Sequence, residues 1–178
     1  MLKNENEKRQ YIRLHKHMAD KLEIFIYGSK EKYNILIIGY KSDEFNKKIV
    51  KRFPNSNIDI MDLEKKNIES YNFDKKYDVI FSNGEFQLTE SLKELFDRLH
   101  SALNFGGKLV FSLIGGRICN IQYEENICKQ KFITSKEIKK IIGKKYRILI
   151  VDEEIIKEDK FLNTDLIYIV LEKIESQF

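Results

Sequence analysis

The chain has 178 residues, 42% hydrophobic and 34% charged, a composition that suits one globular domain and excludes a disordered chain. Its longest apolar runs, "ILII" and "LIYIVL", are strand-sized and fall far short of the roughly 20 residues of a membrane span. The net charge of +4 comes from 32 Lys and Arg set against 28 Asp and Glu spread along the chain. With no aromatic-plus-basic strand, helix-turn-helix or finger beside it, that excess makes nucleic acid an unlikely partner.

In chain order, Tyr11, Leu14, Met18, Leu22 and Phe25 recur at three- and four-residue spacing and predict a helix over 8–26. "KEKYNILIIG" predicts a buried strand, and "SDEFNKKIVKRF" a helix capped by Ser42 or Asp43 and stopped by Pro54. "SNIDIMDL" reads as a second strand ending at Asp62, and "KYDVIFSN" as a third. "TESLKELFDRLHSAL" predicts a helix capped by Thr89, and "GGKLVFSLIG" the next strand. "TSKEIKKIIG" is a short helix with Thr134 or Ser135 at its start and Gly143 at its end. "KYRILIVDEEIIKE" and "NTDLIYIVLEK" close the chain as two long strands, expected to be antiparallel. Alternating strands and helices imply an α/β fold with a mostly parallel sheet and a reversed last strand.

The stretch "ILIIGYKSDEF" runs from strand through Gly39 and Tyr40 to helix. A glycine there permits close backbone approach to a ligand, or simply a tight turn. Asp43 is placed to cap the following helix. Ser82 and Asn83 end a strand at the edge where open α/β sheets bind ligands, and could equally satisfy loop backbone. His15 and His17, two apart on a helix, face different ways and cannot share one metal; His100 reads as a surface residue. Cys119 and Cys128 lack zinc-site spacing, so no metal is expected, and reduced thiols in the cytoplasm are the reading. The N-terminal "MLKNENEKRQ" has no apolar segment behind it, so no signal peptide is expected. No Ser-His-Asp order or Cys-His pair suggests hydrolysis, and no catalytic residue is assigned. Lys129, Lys131, Lys136, Lys139, Lys140, Lys144, Lys145 and Arg147 form a basic stretch, either a solvated face or a dock for an acidic partner.

Three phrases, "HMADKL" before the first strand, "SNGEFQL" after the third and "GGKLVFSLIG" in the fourth, together resemble the class I S-adenosylmethionine-dependent methyltransferases. More narrowly, they are similar to the malonyl-acyl-carrier-protein O-methyltransferases of biotin synthesis, over about residues 10–172. The resemblance implies a single Rossmann-like domain over 1–178, with the N-terminal helix (1–28) packing on the cleft. It implies S-adenosylmethionine as cofactor, held by Gly39, Tyr40, Asp62 and Asn83. Asp62 would accept hydrogen bonds from both ribose hydroxyls, a task suited to a group with two acceptor oxygens.

The departures from the family pattern are specific. Of three alternate glycines in the turn only Gly39 is present; Lys41 and Asp43 hold the other two places, and Ile37 holds that of an acid. The family's Trp is Leu88, and its Tyr-Asp pair in the first helix falls on Lys8 and Arg9. Only 15 residues separate Asp62 from Asp78, room for one crossover of about 10–12 residues but not two, so one strand is expected to be missing. The chain passes from "VDEEIIKED" straight to "FLNTDLIYIVLEK", so the family's substrate-lid insertion is expected to be absent as well. Two functions follow: a methyltransferase of this type, or a non-catalytic member that binds a partner. Acyl carrier protein, a second copy, or another protein covering the cleft are the expected partners, with Phe86, Leu88, Leu113 and Ile114 near water unless the first helix seals the gap.

Overall fold

The computed structural model describes residues 5–40, 43–119, 133–157 and 163–175. Four helices, α1 (Glu5–Ile24), α2 (Glu44–Arg52), α3 (Leu92–Ala102) and α4 (Ser135–Ile142), surround one sheet. Its strands are β1 (Asn34–Gly39), β2 (Asn57–Asp62), β3 (Tyr77–Asn83), β4 (Leu103–Cys119), β5 (Tyr146–Lys157) and β6 (Asn163–Lys173), and a 3-10 turn over Glu85–Leu88 follows β3.

The sheet order is β2-β1-β3-β4-β6-β5. The first four strands are parallel, and β6 runs antiparallel between β4 and β5. This is the predicted α/β plan with its reversed last strand. β2 forms one edge, because no strand occurs between Asp62 and Tyr77. Five residues, 158–162, separate β5 from β6.

Both faces of the sheet are covered, and β1 shows why its sequence is uniformly apolar. Leu36 and Ile38 enter a core built with α3 and α4, while Ile35 and Ile37 enter a second core beneath α1 and α2. Successive strand side chains point to opposite faces, so a strand covered on both sides has no polar alternate positions. From α1, Leu14, Met18 and Leu22 are fully buried in the second core. Each such side chain contributes about 1.5–3 kcal/mol, which fixes α1 against the sheet without a covalent tether. Lys48 and Arg52 of α2 add ion pairs to Glu23 of α1, at 2.7 and 2.8 Å.

Caps follow local chemistry. Asp43 caps α2, its carboxylate accepting from the Phe45 N–H at 3.1 Å. Thr134 and Glu137 form a reciprocal capping box on α4. The cap of α3 is Ser91 and not Thr89: the Glu94 N–H donates to the Ser91 Oγ at 3.3 Å, while the 3-10 turn ends at Thr89. The turn takes up residues that the helical spacing had assigned to α3.

Two other expectations change. Phe86, Leu113 and Ile114 are buried and not near water, and Leu88 is half-buried. Phe86 packs against Phe96 and Phe111, with ring centroids 6.0 and 5.1 Å away. The aromatic stack under α3 covers Phe86, whereas Ile114 belongs to the core beneath α1. His100 is half-buried, edge-on to Tyr146 at 5.2 Å, because α3 turns that flank toward β5. Among the described residues, no helix is long and apolar enough to cross a membrane.

Candidate functional site

Strand register assembles the site. Gly39 of β1 lies opposite Asp62 of β2, and Ser82 of β3 lies opposite Ile38. Gly39, Asp62 and Asn83 therefore end three neighbouring parallel strands at one edge of the sheet, where open α/β sheets hold ligands. Asp62 is nearly buried, with one carboxylate oxygen accepting from the Glu64 N–H at 3.3 Å. Its backbone carbonyl accepts from Lys65 and Lys66 and so shapes the turn. The Tyr40 carbonyl accepts from the Asn46 side-chain amide at 2.7 Å and from the Asp43 N–H at 2.9 Å, which closes the β1–α2 connection. Burial raises the Tyr40 phenol above its ordinary pKa, and the charges of Glu85 and Glu64 add to it. Burial also raises the Asp43 carboxyl, against the hydrogen bonds of its capping role. Lys41 lies outside the described residues.

Asn83 is engaged at both ends. Its amide donates to the His15 carbonyl of α1 at 3.0 Å, and its oxygen accepts from the Ser112 hydroxyl at 3.0 Å. The next residue, Gly84, has φ +94°, and a Cβ there would meet Met18 at 3.0 Å and His15 at 3.1 Å. "SNG" is thus a socket for α1. Burial holds the His15 imidazole down at about 4, so it is neutral at neutral pH. Gln87 bonds both backbone groups of Ile114, at 3.0 and 3.1 Å, and ties the 3-10 turn to β4.

Glu85 was not evident from sequence. It is 2% exposed. One carboxyl oxygen accepts from the Ser82 hydroxyl at 3.0 Å and the Asn83 N–H at 2.6 Å. The other, Oε1, is buried without a hydrogen-bond partner among the described residues. That same atom is what a Cβ on Gly39 would meet first, at 3.5 Å. Burial, with the negative charge of Asp43 added, pushes the carboxyl up to about 8. The only sequence signal was an acid immediately beyond a strand at the ligand edge, and nothing local says that such an acid turns inward.

A cavity of about 740 Å³ opens between α1 and the Tyr40–Asp43 turn, with His15, Ala19 and Lys48 also on its wall. That is within the range of small-molecule sites, roughly 300–1,000 Å³. Tyr40 and Asp43 bring the turn after Gly39 onto the cavity wall, whereas Gly39, Asp62 and Glu85 do not themselves line it. Among the described residues, no group of three His, Cys, Asp or Glu is placed to hold a metal.

No protein-family model matches the chain. It is 40% identical over 181 residues to malonyl-[acyl-carrier protein] O-methyltransferase 1 of Ilyobacter polytropus, spanning 86% of this chain and 67% of that protein. The second such enzyme of that organism is 39% identical over 178 residues, spanning 84% of this chain and 68% of its own length. Among solved structures, coclaurine N-methyltransferase bound to N-methylheliamine and SAH superposes with a TM-score of 0.66 at 7% identity, over 89% of this chain and 72% of that one. The N-methyltransferase NodS of Bradyrhizobium japonicum superposes at 0.60 and 12% identity, over 98% and 100%. The solved structures share the fold alone, and the relatives near 40% identity place the chain in the malonyl-[acyl-carrier protein] O-methyltransferase family of class I S-adenosylmethionine-dependent methyltransferases.

Proposed function

We propose that this protein methylates the free carboxylate of a malonyl group carried on acyl carrier protein, the O-methyl transfer of biotin synthesis. The observation that carries the reading is the pairing of Gly39 with Asp62 at the sheet edge, at the start of the turn whose Tyr40 and Asp43 wall the cavity, in a chain 40% identical to an enzyme of that name. The bound cofactor, S-adenosylmethionine, supplies an electrophilic methyl on a sulfonium. Asp62 would hold its ribose hydroxyls, and Gly39 and Tyr40 would let the backbone approach its methionyl end. Ile12 and Ala19 of α1 give the cavity wall apolar surface.

A malonyl carboxylate is already ionised at neutral pH, so transfer to its oxygen needs no general base. The O–CH3 bond forms as the S–CH3 bond breaks, the bonding pair returns to sulfur, and opposite charges are neutralised. Such a step needs alignment and exclusion of water. The carrier partner is supported by Lys136, Lys139, Lys140 and Lys144, all exposed on α4 and the turn after it. Lys145 is held instead by Asp97, at 2.6 Å. We place the protein in the cytoplasm, where both cysteines stay reduced.

The test is incubation of purified protein with S-adenosylmethionine and malonyl-loaded carrier, followed by mass spectrometry of the carrier. Gain of one methylene mass on the malonyl-loaded form, and none on unloaded carrier, is the expected result. Cofactor binding with no methylated carrier would overturn the substrate assignment.

A further inference from the structure

We propose that Glu85, in the loop after β3, receives the α-ammonium of the cofactor's methionyl end. The inference rests on the cofactor reading above. Its motive is an unsatisfied atom: Oε1 of Glu85 is buried and has no hydrogen-bond partner among the described residues. As an ionised oxygen it lacks a donor, and as a hydroxyl it lacks an acceptor, so neither protonation state is satisfied internally. Such a group costs stability unless something completes it.

Position decides what completes it. Oε1 stands at Gly39, the one place in the β1–α2 turn where the absence of a side chain lets a ligand come close. Ile37 is fully buried and packs into the core beneath α1 and α2, on the opposite sheet face from Leu36 and Ile38. It is uncharged and offers nothing to a cationic ligand. The other oxygen of Glu85 already satisfies Ser82 and Asn83, so Oε1 has no internal task.

The charges around Glu85 select a cation. Asp43, at the start of α2, acts on it as a negative group. Tyr40, in the turn, feels the Glu85 charge and is neutral at neutral pH. His15, from α1 above Gly84, is neutral because burial holds it at about 4. Lys48 lines the cavity but pairs with Asp20 and Glu23 of α1. An ammonium offers the N–H donors that Oε1 lacks, whereas a sulfonium offers none.

With its carboxyl up at about 8, Glu85 is protonated in the free protein at neutral pH. Seating an ammonium on it ionises it and releases one proton to solvent. Isothermal titration of the full chain with S-adenosylhomocysteine, in buffers of different ionisation enthalpy, reads that proton directly. The expected release approaches one proton per ligand at neutral pH and declines as the pH passes about 8. Glu85→Gln should abolish the release and weaken binding about 10- to 100-fold, the range of a charged hydrogen bond. An analogue lacking only the α-amino group should bind both proteins alike and release no proton.

Wild-type binding matched by Glu85→Gln, with unchanged proton release, would overturn this role and leave the cofactor reading standing. No binding to the wild type would overturn both. If Glu85→Gln fails to fold, the wild type decides alone, because equal proton release with and without the amino group removes Glu85 from the site.

Discussion

The carboxyl of Glu85, pushed from its usual 4.5 up to about 8, and the imidazole of His15, held from 6.5 down to about 4, make stability depend on pH in opposite senses. For Glu85 the folded state keeps a proton that the unfolded state loses, so stability falls as pH rises from about 4.5 to about 8, by roughly 5 kcal/mol in all. For His15 the unfolded state takes a proton that the folded state refuses, so stability falls as pH drops from 6.5 toward about 4, by roughly 3 kcal/mol. The two slopes oppose each other at mildly acid pH, and the Glu85 slope stands alone above 6.5. Urea midpoints should therefore decline between 6.5 and about 8 in the free protein and stay flat in Glu85→Gln. A wild type with no decline over that range would show that Glu85 is not held protonated.

At the scale of elements, connections decide where the site residues point. The 3-10 turn over Glu85–Leu88 lies between β3 and α3, and it turns Glu85 inward while Gln87 completes both backbone groups of Ile114. α3 consequently starts later than its helical pattern suggests, with Ser91 as its cap. Ser91→Ala should cost about 1 kcal/mol in chemical denaturation, and Ser91→Asp should recover it, since Asp is an equally good N-cap. Equal losses in the two variants would show that the side chain's packing, not its capping bond, matters there.

The described residues form a sheet covered on both faces, with α1 bonded to Asn83 at the end of β3 and exposed lysines on α4 and the turn beyond it. An acidic carrier approaching such a surface is steered by charge more than held by contact. Lys136→Glu with Lys139→Glu and Lys140→Glu should raise KM for malonyl-loaded carrier several-fold at low salt, leave S-adenosylhomocysteine binding unchanged, and lose its effect as salt rises. Steady-state kinetics at two ionic strengths checks this. An unchanged KM would move the docking surface elsewhere, Lys129 and Lys131 lying outside the described residues.

The strand-helix alternation, the apolar β1, the reversed final strand and the missing strand after Asp62 were all legible in the sequence. Each depends on periodicity, run length or loop length, which are properties of neighbouring residues. Gly39 and Asp62 could be named as candidates for the same reason, because both end strands. The sequence could not show that Asn83 and Gly84 form a socket for α1, since His15 and Met18 reach them across more than sixty residues of chain. Nor could it show that Glu85 turns inward with one oxygen unmet beside Gly39. Burial and hydrogen-bond satisfaction are fixed by what packs from distant elements, and only the folded chain brings those elements together.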